Sequence, residues 1–282
     1  MAQYISYCAE LSDISGLSGL EKLEILEING DFEKWSTNIA SKISDLTPLE
    51  NLSSLKIFTI GDCPDLEDLT PLGNLPYLAD LNVKNCPNAV KFAPMKNLRN
   101  LDVSASAIER SNLEDLSFLI GMDELDYMVL ANTNVSDLRS LSKLPSLINL
   151  SIYNSDVTDL TPLSKLTALR GLSICESPIS DLTPLKNLDL YNLNIYRTHV
   201  EKLDPISSMK NLRNLHLSYT KVSDLSPLSE LHELATLSID ETEVTDLTPL
   251  AVLEKLKIIY IGRMDIDTSC LDGKDIEIDR CC

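Results

Sequence analysis

Eight aspartates, Asp45, Asp68, Asp115, Asp137, Asp159, Asp181, Asp224 and Asp246, stand directly before a leucine and recur along the chain at a near-constant interval. Two chemistries suit carboxylates spaced in this way. On neighbouring strands about 4.8 Å apart they line up in a row that can hold cations; alternatively, each caps the turn that follows it. Unscreened by either, two stacked carboxylates repel by about 0.9 kcal/mol in water. Cation-binding solenoids interleave glycine with aspartate to bring backbone oxygens to the ion. No glycine stands in these motifs, so the sequence favours local capping and predicts no metal or other cofactor.

The other reactive side chains are scattered. Seven cysteines, an odd number without metal spacing, read as reduced thiols. Cys63 and Cys86 share one position of the interval, where stacked side chains point the same way. A disulfide between them would be strained, and buried thiols are expected. Cys8, Cys175 and Cys270 have no comparable partner, and Cys281-Cys282 reads as a frayed end in preference to a lipid-attachment signal. His199, His216 and His232 fall at different positions of the interval, which speaks against a shared metal or triad site. The chain contains no G-x-S-x-G, H-E-x-x-H, P-loop or dinucleotide-binding glycine pattern. An enzyme is not expected.

The elements that position these residues come from one repeated stretch. In Val157 to Ile179 the apolar positions are Val157, Leu160, Leu163, Leu166, Leu169, Leu172 and Ile174. They are spaced by three until the last pair, which is spaced by two. Period three suits a tight helical return and period two a short strand. Copies begin at Ile43, Leu66, Val90, Ile108, Val135, Val157, Ile179, Val200, Val222 and Val244, with a partial copy from Ile266. The copy from Val90 is short and the next is long, so one return is contracted and the following one extended. D-L-T-P-L recurs at 45, 68, 159, 181 and 246, and D-L-S-P-L at 224. Thr or Ser before Pro predicts a helix start, with the hydroxyl as cap and Pro at the first helical position. Only a single 3₁₀ or α turn fits before the next strand. One copy alone buries too little, and stacked copies share strand hydrogen bonds and both apolar flanks.

The frame Leu169-x-x-Leu172-x-Ile174-x-x-Ser177, with its S/T-D-L-T-P-L return, resembles the bacterial internalin-type leucine-rich repeat. The resemblance implies an α/β repeat solenoid of right hand, a curved parallel sheet on the concave side, short 3₁₀ or α turns on the convex side, and a binding function. Residues 1–22 are expected as an N-terminal cap with a degenerate first copy, and 23–266 as the array. Within it lie an insertion at 31–41, carrying Trp35, and irregular copies at 90–134; 267–282 form a C-terminal cap. The family frame ends in Asn or Cys; here that site holds Cys63, Cys86, Ser106, Thr133, Ser155, Ser177, Thr198, Thr220 and Thr242. Hydroxyls and thiols bridge fewer backbone groups than an amide, which implies a weaker ladder.

Alternate strand residues point away from the core. The candidate partner-binding residues on the concave side are therefore Tyr127, Tyr153, Tyr196, His216, Asp240 and Tyr260, with Arg197, Tyr219 and Arg263 just past the strands. Tyr and Arg are frequent binding hot spots. The balance of 24 Lys+Arg against 43 Asp+Glu, a net −19, disfavours nucleic acid and anionic lipid and favours a basic or neutral protein partner met by a monomer. No apolar run spans a membrane and no leader precedes the array, so the expectation is a cytoplasmic protein, or a secreted or cell-surface one if a leader was trimmed. The functional expectation is a non-catalytic protein-recognition module. The alternatives are an intracellular inhibitor or immunity-type protein masking a basic enzyme, and a regulatory subunit resembling phosphatase-binding leucine-rich repeat proteins.

Overall fold

The computed structural model describes residues 1–6, 11–29, 40–106 and 109–280. Most of the 31–41 segment with Trp35, Cys8, the copy start at Ile108 and the terminal Cys281-Cys282 lie outside the described residues. The chain divides into two compact units, Met1–Leu147 and Ile148–Cys282.

The first unit contains the strands β1 (Ala2–Ser6), β2 (Ile25–Asn29), β3 (Ile57–Gly61), β4 (Asp80–Lys84), β5 (Asn100–Ser104) and β6 (Tyr127–Ala131). Each pairs in parallel with the next. The contracted return lies between β4 and β5, where no 3₁₀ turn forms. Its chain runs close to the preceding copy: a Cβ built on Gly73 would come within 2.6 Å of the Ala93 side chain. The rings of Phe92 and Phe118 stack at 4.4 Å where the returns change length.

The second unit contains β7 (Asn149–Tyr153), β8 (Gly171–Cys175), β9 (Asn192–Asn194), β10 (Asn214–His216), β11 (Thr236–Ser238), β12 (Ile258–Tyr260) and β13 (Glu277–Asp279), again parallel and in sequence order. Strand pairing aligns Leu150, Leu172, Leu193, Leu215, Leu237, Ile259 and Ile278 in one row. All seven apolar positions read from Val157 to Ile174 are buried. The core is thus a stack of aliphatic layers, one per copy, closed on one side by the sheet.

The returns are 3₁₀ turns, such as Thr161–Lys165, Thr183–Leu185 and Thr248–Val252. Their capping differs from the sequence expectation. Thr is the first residue of the turn and Pro the second, and no side chain of the preceding Leu182 or Leu247 caps. The aspartate accepts instead. The amides of Thr47, Thr70, Ser117, Thr161, Thr183, Ser226 and Thr248 each donate to the carboxylate two residues earlier at 2.8 Å. Most of the hydroxyls donate to that same carboxylate, as at Thr70, Ser226 and Thr248, and so are spent as donors. A carboxylate accepts both bonds with a full negative charge, which makes them stronger than bonds to a neutral hydroxyl. This is the capping by aspartate that the sequence favours; the hydroxyl expected as a second cap is a donor instead. The hydroxyl and amide donors hold the Asp68, Asp115 and Asp181 carboxyls below the usual carboxylate range. Among the described residues no group of three His, Cys, Asp or Glu is placed to hold a metal ion.

At the site where the family carries Asn, the bonds are mostly local. Cys63 and Cys86 are buried free thiols that donate to the carbonyls of Gly61 and Lys84 at 3.3 Å. Ser155 and Ser177 share a hydrogen bond across copies at 2.9 Å, whereas Thr198 donates within its own copy to Ile195 at 2.8 Å. The buried hydroxyls of Thr133 and Thr220 have no partner among the described residues. No helix among them is long and apolar enough to cross a membrane.

Two predictions follow from these bonds. Thr220→Val, which replaces an orphaned buried hydroxyl by a methyl, raises stability by about 1 kcal/mol, while Thr198→Val lowers it by a similar amount; urea unfolding of both variants checks the opposite signs. The Asp181 carboxyl is held low in the folded state, so its stabilisation is present above the unfolded value of about pH 4 and is lost as pH falls through the folded value. Asp181→Ala accordingly lowers the urea midpoint near neutral pH, and the deficit shrinks in acid. A deficit constant with pH would contradict the capping assignment.

Candidate recognition face

On the open face of the second unit each copy supplies one residue to each of several rows. In β7 the alternation is plain: Leu150 and Ile152 are buried while Asn149, Ser151 and Tyr153 face outward. Strand pairing aligns Tyr153 with Cys175, and the backbone bonds from the Asn154 amide to the Cys175 carbonyl and from the Glu176 amide to the Tyr196 carbonyl continue the register, placing Tyr196 in that row and Asn154, Glu176 and Arg197 in the next.

That last row has an unusual backbone. Asn154, Glu176, Arg197, Tyr219 and Glu241 have φ of 49°, 50°, 52°, 60° and 53°. In the first unit the left-handed residues Asp62, Asn85 and Asn132 are types that tolerate this region. Other L-residues are disfavoured there by roughly 1–2 kcal/mol. Four consecutive copies of the second unit nevertheless carry Glu, Arg, Tyr and Glu. The backbone continues the ladder through them: the amides of Glu176, Arg197 and Tyr219 donate to the carbonyls of Tyr196, Ser218 and Asp240 at 2.9, 3.0 and 2.8 Å. Strain of this kind is maintained where side chains serve something other than the turn.

The side chains raised on these positions form one cluster. The Arg197 guanidinium lies 5.2 Å from the Tyr196 ring centroid and 5.0 Å from that of Tyr219. The two rings meet edge to face at 5.4 Å, and Tyr196 contacts the His216 ring at 5.3 Å. Glu176 pairs with Arg197 at 3.2 Å and fixes its head. Burial, then hydrogen bonding to Glu176, pushes the Tyr153 phenol up; desolvation and the charge of Asp240 do the same at Tyr219. Burial lowers His216 against the opposing pull of Asp240. Both phenols and the imidazole are therefore neutral near pH 7, leaving Arg197 as the cluster's cation. A shallow groove of about 420 Å³ opens beside it, with Asn154, Asp156, Glu176, Arg197 and His199 among its lining residues. Cys175 lies between the tyrosines but is buried, its thiol pushed up by that burial, and such a thiol is a poor nucleophile.

Of the residues expected from the sequence, Tyr153, Tyr196, Arg197, His216, Tyr219 and Asp240 come together here. Tyr260 is half-buried two strands beyond His216 in the same row. Arg263 is exposed after β12, and Tyr127 belongs to the first unit, exposed at the start of β6. Sequence reasoning passed over Glu176, which bonds Arg197 and acts on Tyr153. Its signal was its place one residue past a strand, the place shared by Arg197 and Tyr219.

Comparison with known proteins bears on the fold. No protein-family model matches the chain, and no curated protein sequence does. Among solved structures, the internalin InlF of Listeria monocytogenes superposes with a TM-score of 0.71 at 24% identity, covering 100% of this chain and 86% of that one. The fold is that of an internalin-like leucine-rich repeat protein. TLR13 in its complex with ssRNA13 matches with a TM-score of 0.69 at 19% identity, over 93% of this chain and 40% of the receptor. The plant peptide hormone receptor RGFR1, in complex with RGF2, matches with 0.61 at 16% identity, over 93% and 49%. Neighbours of this internalin-like fold thus include ligand-binding receptors, and at these identities the likeness is one of fold.

The strained row gives a prediction of its own. Glu241→Asn, at φ 53°, raises stability by roughly 0.5–1 kcal/mol in chemical denaturation. An unchanged or lowered midpoint would show that the left-handed backbone carries no cost there.

Proposed function

We propose that the protein is a non-catalytic recognition module and that its second unit captures a protein partner on the concave, open face of the sheet. Tyr153, Tyr196, Arg197, His216 and Tyr219 make the central contacts, with Asp240, Tyr260 and Arg263 at the margin; Tyr127 belongs to the first unit and is not part of this site. One observation carries this reading: the Arg197 guanidinium packs beside the Tyr196 and Tyr219 rings, and Arg197 and Tyr219 both sit on left-handed backbone positions that are costly for their residue types. Tyr offers large contact area at little loss of rotamer freedom, and a cluster already held by Glu176 and the strand ladder loses little more on binding. The comparison structures that are complexes, TLR13 with ssRNA13 and RGFR1 with RGF2, are consistent with ligand binding by this fold. The net −19 favours a protein ligand over a nucleic acid.

A second reading, an inhibitor masking a basic enzyme, is favoured by that same charge. Association that falls steeply with salt would support it.

Immobilised chain is to be compared with its Tyr153→Ala/Tyr196→Ala/Tyr219→Ala variant for capture of partners, identified by mass spectrometry and remeasured as purified proteins. Loss of hot-spot side chains costs about 2 kcal/mol or more each, so affinity falls by about 30-fold or more for each one that contacts the partner. Unchanged affinity with an intact fold would move the site elsewhere.

A further inference from the structure

A second group of side chains lies at the other end of the same strands. Arg170, Tyr191 and Arg213 stand immediately before β8, β9 and β10 and so occupy neighbouring copies of one row. The backbone ladder holds them: the Tyr191 amide donates to the Arg170 carbonyl at 2.7 Å, and the Arg213 amide to the Tyr191 carbonyl at 2.9 Å. Both guanidinium groups lie near the Tyr191 ring, with Arg170 at 5.9 Å and Arg213 at 5.5 Å from its centroid. Tyr191 is itself exposed.

In a chain with 43 acidic residues, Lys56, Lys84, Lys91, Arg99, Lys210, Lys221, Lys255 and Lys257 each find a carboxylate across copies. Among the described residues neither Arg170 nor Arg213 makes an ion pair. Other cations among the described residues, such as Lys143, Lys165 and Lys186, also lack an ion pair; what distinguishes Arg170 and Arg213 is that two such charges flank one ring. Glu233, whose carboxylate feels Arg213, is already bonded to Lys255. One nitrogen of Arg170 is spent on the carbonyls of Thr167 and Leu169, which fixes the group and leaves its remaining N–H donors free. Two like charges held beside one ring, each with unspent donors, suit a planar anion that takes paired N–H bonds.

We propose that this leading edge of β8, β9 and β10 receives an acidic segment of the protein partner, whose carboxylates engage Arg170 and Arg213 beside Tyr191. The inference rests on the recognition reading above and extends it. Six residues of strand separate Arg170 from Glu176, about 20 Å, within the footprint of a standard interface of about 800 Å² per side. Between the two clusters runs a polar strip in which the Asn149 amide lies over Gly171 and Asn214 donates to Asn192. The partner is thus bipolar: acidic where it meets this edge, and neutral or basic where it meets the Tyr196 cluster.

The test uses capped hexaglutamate as probe, titrated into the ¹⁵N-labelled full chain near physiological salt, where charges beyond about 8 Å are screened. The expected result is saturable shifts confined to the amides of Arg170, Tyr191 and Arg213 and to the two guanidinium groups. They should be weakened about tenfold or more in Arg170→Gln/Arg213→Gln, absent with capped hexalysine, and unchanged in the Tyr153→Ala/Tyr196→Ala/Tyr219→Ala variant. Absent or diffuse shifts, or shifts that survive the double substitution, overturn the proposal. Equal binding of a uridine hexanucleotide at the same residues would overturn it too, by assigning the edge to phosphate. Because the tyrosine variant leaves this probe untouched, failure here and failure of the recognition reading are separable.

Discussion

Every feature of the second unit depends on the register of a parallel ladder. Side chains alternate strictly along a strand, so a slip of one residue between β8 and β9 would turn Leu172 and Ile174 outward and bury Ser173. The apolar spacing makes that slip prohibitive, since each copy must seat its leucines on those of the last. The sheet is therefore a grid: the copy sets one coordinate of a side chain and the position within the copy sets the other. Tyr153 and Tyr196 share a row for this reason, and Glu176 faces Arg197 across a copy boundary.

The returns serve the grid by being short and uniform. An aspartate that accepts from the amide, and in most copies the hydroxyl, two residues on fixes most of the 3₁₀ turns without help from other copies. The next strand then starts at the same height. Where the return contracts, in the first unit, Gly73 is the residue that gives room to Ala93. The hydroxyls that replace the usual asparagine bond mostly within their own copies, so this buried site adds little to the strand pairing, leucine packing and surface ion pairs that join one copy to the next.

Periodic features were legible in the sequence, and contacts between copies were not. The seven apolar positions of Val157 to Ile174 are visible as spacing, and all are buried. The aspartate row was legible as capping, but the Thr and Ser hydroxyls, expected from sequence to cap as well, donate to the aspartate instead, because proximity in sequence does not say which oxygen gives and which receives. The outward tyrosines followed from alternation. Glu176 did not, since its importance lies in a bond to a residue one copy away and in a backbone conformation that its side chain does not favour. Arg170, Tyr191 and Arg213 were missed because they precede the strands, where alternation makes no statement about direction.

The central claim is that Arg197 and Tyr219 are fixed by the ladder before any partner arrives, and amide hydrogen exchange of the free protein tests it most directly. The amides of Ile195, Arg197, Leu217 and Tyr219 all donate to carbonyls of the next copy. They should therefore exchange together, slowly, as one cooperative unit. If Ile195 and Leu217 were protected while Arg197 and Tyr219 exchanged at the rate of an unstructured chain, the cluster would be unformed in the free protein and the account of a preorganised face would be wrong.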